Sequence, residues 1–92
     1  MILSFADRDT QSLAAGIRVK RFVSIEKVAR RKLRQLEIAS SLEDLKIPHG
    51  NRLERLRGRR DGQMSIRING QWRICFNWTS AGAQEVEIVD YH

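Results

Sequence analysis

The chain has 92 residues, and its 17 lysines and arginines outnumber its 11 aspartates and glutamates to give a formal net charge of +6. This length supplies one small core, so residues 1–92 are predicted to form a single domain with no separate cofactor domain, and the arginine-rich charge favours a polyanionic partner. The single cysteine, Cys75, excludes an internal disulfide, and the lack of an apolar run of about 18 residues excludes a transmembrane helix, so a soluble cytoplasmic protein is expected.

The first predicted elements are a short strand and a short helix. The apolar run Met1–Phe5 suits an edge strand, and Asp7 or Asp9 can cap a brief helix that ends near Gly16. Glycine suits this position because it readily adopts the left-handed conformation at a helix end.

A longer helix is predicted after Ser24, a candidate N-cap, because the apolar residues that follow recur at helical spacing. These residues are Ile25, Val28, Ala29, Leu33, Leu36 and Ala39. The opposite face carries Lys27, Arg30, Arg31, Arg34 and Gln35. Its positive charges allow a binding site for a polyanion, although a charged helix face is more often plain solvated surface.

Three strands of a half-buried antiparallel sheet are predicted in the second half of the chain, where apolar and polar residues alternate. Before them, residues 40–45 allow one more helical turn, and Pro48 and Gly50 break it. The strands carry Ile66 and Ile68, then Trp72, Ile74, Phe76 and Trp78, and then Val86 and Ile88. The fold class is therefore predicted as α+β, with an N-terminal strand and two helices packed on one face of a mostly antiparallel sheet.

A loop of odd length is predicted around Asn69-Gly70, because a two-residue turn would place charged residues opposite apolar ones. The odd loop pairs Ile66 with Ile74 and Arg67 with Arg73, and so segregates the two faces. The pairs predicted across the next loop are Phe76 with Val86, Ile74 with Ile88 and Arg73 with Val89.

This register places Arg67, Arg73 and Tyr91 together on the sheet face turned away from the long helix. Two arginines facing each other across strands repel by roughly a few tenths to 1 kcal/mol, so an anion bound between them would explain the arrangement. The alternative is that each arginine reaches its own acidic partner. Glu87 lies diagonal to Arg73 and could be one of them.

A fourth strand over residues 52–57 is predicted to pair with residues 63–68. Its two leucines have opposite parity, so a bulge is predicted near Glu54 or Arg55. The pattern leaves open which of Glu54, Arg55 and Arg57 lie on the face that carries the paired arginines.

Four short motifs occur in order along this half of the chain. They are Asn51-Arg52-Leu53-Glu54-x-Leu56-x-Gly58, Ser65-Ile66-Arg67, Trp72-Arg73-Ile74-x-Phe76 and Asp90-Tyr91-His92. In these motifs and their spacing, the chain resembles the HigB (Killer) branch of the RelE-like toxins of bacterial toxin–antitoxin systems, over essentially its whole length. The resemblance implies a compact RelE-like toxin that enters the ribosomal A site and cuts messenger RNA there.

The resemblance also implies partners. A HigA-like antitoxin with a helix-turn-helix domain would neutralise the toxin, and the toxin would reach operator DNA only through that complex. The 70S ribosome and messenger RNA would be its targets, with no role for a membrane.

The chemistry implied by the resemblance is attack of a ribose 2′-hydroxyl on the neighbouring phosphate. It needs a base, cations for the phosphate and an acid for the departing oxygen, but no metal or other cofactor. By motif position Arg73 would bind the scissile phosphate, Tyr91 would orient or protonate a reacting oxygen, and Asp90 and His92 would handle protons. Glu54 stands where some members have histidine, which leaves the base and the acid unassigned.

Further arginines are expected to contact RNA or the ribosome. They are Arg55, Arg57, Arg59, Arg60 and Arg67 from the sheet and its loop, with Arg30, Arg31 and Arg34 from the helix. The alternative function is a module that binds RNA or the ribosome without catalysis, or a weakly active toxin homologue. A pure binder would not need Tyr91 and His92 at the end of a strand, so these residues discriminate between the two.

Overall fold

A four-stranded antiparallel sheet forms one layer of the α+β fold, and two helices pack on one of its faces. The computed structural model describes residues 1–91. In chain order the elements are α1 (Arg8–Ala14), α2 (Glu26–Ile38), β1 (Glu54–Arg55), β2 (Met64–Arg67), β3 (Trp72–Thr79) and β4 (Gly82–Asp90). Short 3-10 segments lie at Lys20–Ile25, Leu42–Lys46, His49–Asn51 and Gly58–Arg60. The sheet order β1-β2-β3-β4 follows the chain, and the predicted fold class is confirmed.

The helices start as the sequence predicts in one case and not in the other. The carboxylate of Asp7 accepts a hydrogen bond from the Thr10 amide at 3.0 Å and so caps α1. The prediction of Ser24 as the cap of α2 is wrong. A 3-10 segment leads directly into α2, so the cap position falls on Ile25, which has no side-chain oxygen to offer.

The N-terminal segment lies along the outer edge of β4 through two isolated bridges rather than as a continuous strand. Ile2 bridges Ala83, and Phe5 bridges Val86. Between these bridges Glu85 has a left-handed φ of 53°, and its amide donates to the Ser4 hydroxyl at 2.9 Å instead of to a backbone carbonyl. The irregularity in β4 therefore interrupts the ladder that a strand over Met1–Phe5 would need.

The register between β2 and β3 is the predicted one. Ile66 lies opposite Ile74 and Arg67 opposite Arg73. Across β3 and β4, the predicted pairs of Ile74 with Ile88 and of Arg73 with Val89 are also confirmed.

The predicted pair of Phe76 with Val86 falls at the register shift between Cys75 and Asn77, where the ladder gives Phe76 no regular partner, so this pair stays a prediction. Cys75 pairs with Glu87, but two residues later Asn77 pairs with Gln84, three residues back along β4. The extra residue in β4 is accommodated at Glu85, whose φ is positive.

Strand β1 is shorter than the predicted strand over 52–57 and pairs regularly, so the bulge expected there is absent. Glu54 lies opposite Ser65 and Arg55 opposite Met64. The chain changes direction instead at Arg52, which adopts the left-handed conformation at φ 44° and ψ 57°. This turn decides that Glu54, and not Arg55, shares a face with Ser65.

The hydrophobic core lies between the helices and the sheet. It joins Leu33 and Leu36 of α2 to Ile66, Ile74 and Ile88 of the three longer strands. The indole of Trp72 packs edge-on against the Phe22 ring at a centroid distance of 5.6 Å. No helix in residues 1–91 is both long enough and apolar enough to cross a bilayer.

Candidate active site on the arginine face

Strand alternation turns a second set of side chains away from the helices. We call this surface the arginine face. Its residues are Glu54, Ser65, Arg67, Arg73, Cys75, Glu87 and Val89. The face is polar, yet Ser65 and Cys75 are fully buried and Arg73 is only 7% exposed. Its side chains are therefore held by one another rather than solvated separately.

Arg73 is fixed by contacts with three different residues. Its Nε donates to the Ser65 hydroxyl at 2.8 Å, and its Nη2 donates to the Arg52 carbonyl at 2.7 Å. The same Nη2 lies 3.2 Å from Oε1 of Glu54. No hydrogen bond within residues 1–91 uses Nη1, so the two N–H groups of that nitrogen can bind the oxygens of an anion.

Tyr91 lies beside Arg73, as the register predicts. The Arg73 guanidinium is 5.8 Å from the centroid of the tyrosine ring, and Tyr91 is 45% exposed. Gln71 holds this end of the chain twice, because its carbonyl accepts from the Tyr91 amide at 2.5 Å and its amide nitrogen donates to Asp90 Oδ2 at 3.2 Å. His92 lies outside the described residues.

The acidic partner of Arg73 is Glu54 rather than Glu87, so the interpretation of Glu87 as its partner is wrong. Glu87 instead accepts from Arg60 Nη1 at 3.2 Å, and the same nitrogen donates to Gln63 at 3.0 Å. Arg60 is thus tied to the sheet by an ion pair. Arg67 is half-buried and makes no hydrogen bond or ion pair with another described residue. Binding of an anion between Arg67 and Arg73 stays a prediction.

The remaining arginines divide between two surfaces. Arg57 and Arg59 are exposed in and next to the 3-10 segment that contains Arg60, and the parity of Arg55 turns it away from the arginine face. The helix arginines lie beyond the helix layer, on the far side of the sheet. One of them, Arg30, donates to Glu26 at 2.8 Å and to the Leu13 carbonyl at 3.2 Å, and so joins α2 to α1.

The helix arginines that remain are Arg31 and Arg34, and both are exposed. Neither is among the residues that contact Arg73, which are Ser65, Arg52, Glu54 and Tyr91 within residues 1–91.

Two parts of the site were missed by sequence reasoning. The Ser65 hydroxyl could have been found from its parity, since Ser65 and Arg73 both alternate with core isoleucines. The Arg52 carbonyl left no such signal, because its direction depends on a left-handed turn at a residue that rarely adopts one.

Cys75 is a buried packing residue at the centre of the arginine face. Burial raises the pKa of its thiol, although the charges of Arg60 and Arg73 act in the opposite direction. A thiol that resists ionisation is a poor nucleophile, in agreement with its interpretation as a small strand residue.

Comparisons with known proteins identify similar sequences. The model of a protein family described as the RelE-like toxin of type II toxin–antitoxin system HigB matches residues 5–92. The chain is also 39% identical over 85 residues to the Toxin HigB-1 of Vibrio cholerae, and the match covers 90% of each protein.

Proposed function

The chain belongs to the HigB-like family of RelE-like toxins of type II toxin–antitoxin systems, and we propose that it is a ribosome-dependent endoribonuclease that cleaves translated messenger RNA. The observation that carries this proposal is the fixed guanidinium of Arg73, whose Nη1 makes no hydrogen bond within residues 1–91, beside Glu54 and Tyr91. In the proposed reaction the ribose 2′-oxygen forms a bond to the neighbouring phosphorus. The bond from phosphorus to the 5′-oxygen then breaks, which leaves a 2′,3′-cyclic phosphate and a 5′-hydroxyl.

Arg73 stabilises the negative charge that grows on the phosphate during this attack. Its side chain is already oriented by Ser65, Arg52 and Glu54, so little reorganisation accompanies the reaction. A donor fixed before the reaction stabilises a transition state more than a mobile one does. Arg67, opposite Arg73 on β2, supplies a second cation for the same phosphate or its neighbour.

Glu54 and the C-terminal residues handle the protons. The Glu54 side chain is 54% exposed next to the buried Arg73, so a substrate hydroxyl can reach its carboxylate. Glu54 accepts the proton of the 2′-hydroxyl, and Tyr91 or His92 donates a proton to the departing 5′-oxygen. Asp90 helps to hold the end of β4 in place through Gln71.

The ribosome supplies the orientation that this small site lacks. Messenger RNA held in the A site would present one phosphate to Arg73, with the neighbouring 2′-hydroxyl already aligned for attack. Arg57 and Arg59 then contact neighbouring RNA phosphates, and Arg31 and Arg34 contact the ribosome from the opposite side of the toxin. The protein acts in the cytoplasm, where ribosomes are found.

A toxin of a type II system has an antitoxin as its partner. We propose that this partner is a HigA-like protein with a helix-turn-helix domain, and that operator DNA is bound only by the complex of the two proteins. The antitoxin would keep the toxin inactive until the antitoxin is degraded.

A weakly active toxin is the second candidate, and the ion pair of Arg73 with Glu54 favours it. The carboxylate offsets part of the guanidinium charge, and it stands where some family members carry histidine. Cleavage would then be slower than in such relatives but would occur at the same site.

Primer extension on a translated message tests the proposal. The protein should cut the message in the presence of ribosomes and cut the same RNA poorly without them. Arg73→Ala should slow cleavage by about 100-fold, the size of effect seen when one transition-state donor is removed. Arg8→Ala, which removes an exposed arginine of α1, should cut like the wild type. Rapid cleavage of naked RNA would contradict ribosome dependence, and binding without any cleavage would favour the binding module.

A further inference from the structure

A lysine of α2 is buried on the side of the helix that faces the sheet. Lys32 is 8% exposed, and its ammonium donates to Oδ1 of Asn51, which is fully buried. Burial and the neighbouring charge of Arg31 lower the pKa of Lys32. A buried ammonium is costly unless it is paired, so this contact calls for an explanation beyond packing.

Asn51 is held from three directions. Besides accepting from Lys32, its amide nitrogen donates to the Leu45 carbonyl and to Oε1 of Gln35, each at 3.1 Å. Lys32 and Gln35 belong to α2, and Leu45 belongs to the 3-10 segment Leu42–Lys46. Asn51 therefore fixes the backbone of the His49–Asn51 turn against the helix layer.

The next residue along the chain contacts the candidate active site. Arg52 follows this turn in the left-handed conformation, and its carbonyl accepts from Arg73 Nη2 at 2.7 Å. Non-glycine residues adopt that conformation only where the surroundings fix it. Here the surroundings include the Lys32–Asn51 pair, one residue away.

We propose that Lys32 and Asn51 are positioning residues for Arg73, and that they act through the carbonyl of Arg52. The inference rests on the proposed function, because it assigns Arg73 the role of binding the scissile phosphate. Neither side chain contacts the substrate. Their effect is to hold the Arg52 carbonyl where it aligns the guanidinium, so that Nη1 faces the phosphate.

If Lys32 and Asn51 only stabilise the fold, their substitution should have a different effect from the one expected of positioning residues. A double-mutant cycle distinguishes the structural role from the positioning role. Lys32→Met keeps the length of the side chain and removes the donor. If the pair acts through Arg73, Lys32→Met should slow single-turnover cleavage on saturated ribosomes by about 10-fold, because a misplaced catalytic group costs rate rather than binding. In an Arg73→Ala background the same substitution should change the rate less than about twofold. Lys27→Met, at an exposed position of the same helix, is the matched control and should have no effect.

A second readout does not depend on cleavage. The Nε–H of Arg73 donates to Ser65, and the Nε–H of Arg30 donates to the Leu13 carbonyl, so both should give protected signals in a 15N NMR spectrum. Lys32→Met should shift or broaden the Arg73 signal and leave the Arg30 signal unchanged. If Lys32→Met melts below the assay temperature, the milder Gln35→Met takes its place in both experiments. This substitution removes the side-chain oxygen that accepts a hydrogen bond from the Asn51 amide.

The outcomes are distinct. Equal slowing by Lys32→Met in the wild-type and Arg73→Ala backgrounds, or an unchanged Arg73 Nε–H signal, would overturn the positioning role. Absence of cleavage by the wild-type protein would instead count against the proposed function, and the NMR experiment would still test whether the pair orients Arg73.

Discussion

At the middle of the sheet both faces are buried, but by different means. Ile74 points to the helices and is fully buried among apolar side chains, whereas its neighbour Arg73 points the other way and is 7% exposed. Arg73 is held by hydrogen bonds and an ion pair, and Ser65 beside it is fully buried as well. The apolar face can therefore supply most of the stability of the fold. The contacts on the arginine face instead orient one guanidinium, that of Arg73.

The largest effect on the apolar face should come from Ile74→Ala. Removing a fully buried isoleucine from the centre of β3 should lower the free energy of unfolding by about 2–5 kcal/mol, since a cavity remains. Urea unfolding measures this change. Ile38→Ala, at a 72% exposed position of α2, is the control and should change the stability little. Equal losses in the two variants would contradict the assignment of the core.

Tyr91→Phe should separate chemistry from packing on the arginine face. The ring that lies beside the Arg73 guanidinium is kept and only the hydroxyl is lost. Cleavage on ribosomes should slow by about 10-fold or more, as expected when a proton donor is removed, and the melting temperature should stay the same. A wild-type rate in this variant would remove the hydroxyl of Tyr91 from the mechanism.

Arg67→Ala should have a smaller effect than any substitution of Arg73. Arg67 makes no hydrogen bond or ion pair with another described residue, so its replacement leaves no polar partner unsatisfied. We expect cleavage to slow by about 3–10-fold through the loss of one phosphate contact. Rates for Arg67→Ala and for the surface control Arg8→Ala should be compared at two salt concentrations. If Arg67→Ala slows cleavage more than Arg73→Ala does, the roles of the two arginines are reversed.

The smallest expected effect concerns Cys75 and alkaline pH. Burial raises the pKa of this thiol above its ordinary value of 9.0, so the folded protein keeps a proton that the unfolded chain loses. Unfolding then releases a proton, and stability falls as the pH rises above about 9.0. The loss of unfolding free energy between pH 7 and pH 10 should be smaller in Cys75→Ala than in the wild type. An equal loss would show that the thiol does not contribute.

Much of this comparison could be predicted from the sequence, because alternation fixes the parity of long strands. The odd loop alone placed Arg67 opposite Arg73, and the run of isoleucines identified the apolar face. The cap of α2 could not be predicted from Ser24, since a 3-10 segment ahead of the helix already sets its backbone. Local patterns do not carry such information from neighbouring segments.

The partner of Arg73 could not be predicted for a different reason. Strand β1 has only two residues, so alternation has too few positions to fix the parity of Glu54. That parity depends on the left-handed turn at Arg52, which comes directly after Asn51, and Asn51 contacts Lys32, 19 positions away in the chain. Side chains that lie far apart in sequence leave no periodic signal.

Single-turnover cleavage of a translated message by Arg73→Lys tests most directly whether the orientation of one guanidinium on the arginine face carries the activity. Lysine keeps the positive charge but has no planar fork, so it cannot contact Ser65, the Arg52 carbonyl, Glu54 and a phosphate together. The account predicts a rate at least about 10-fold below that of the wild type for a protein that still folds, with the charge alone giving little rescue over Arg73→Ala. A wild-type rate in Arg73→Lys would contradict it, because charge without orientation would then be sufficient.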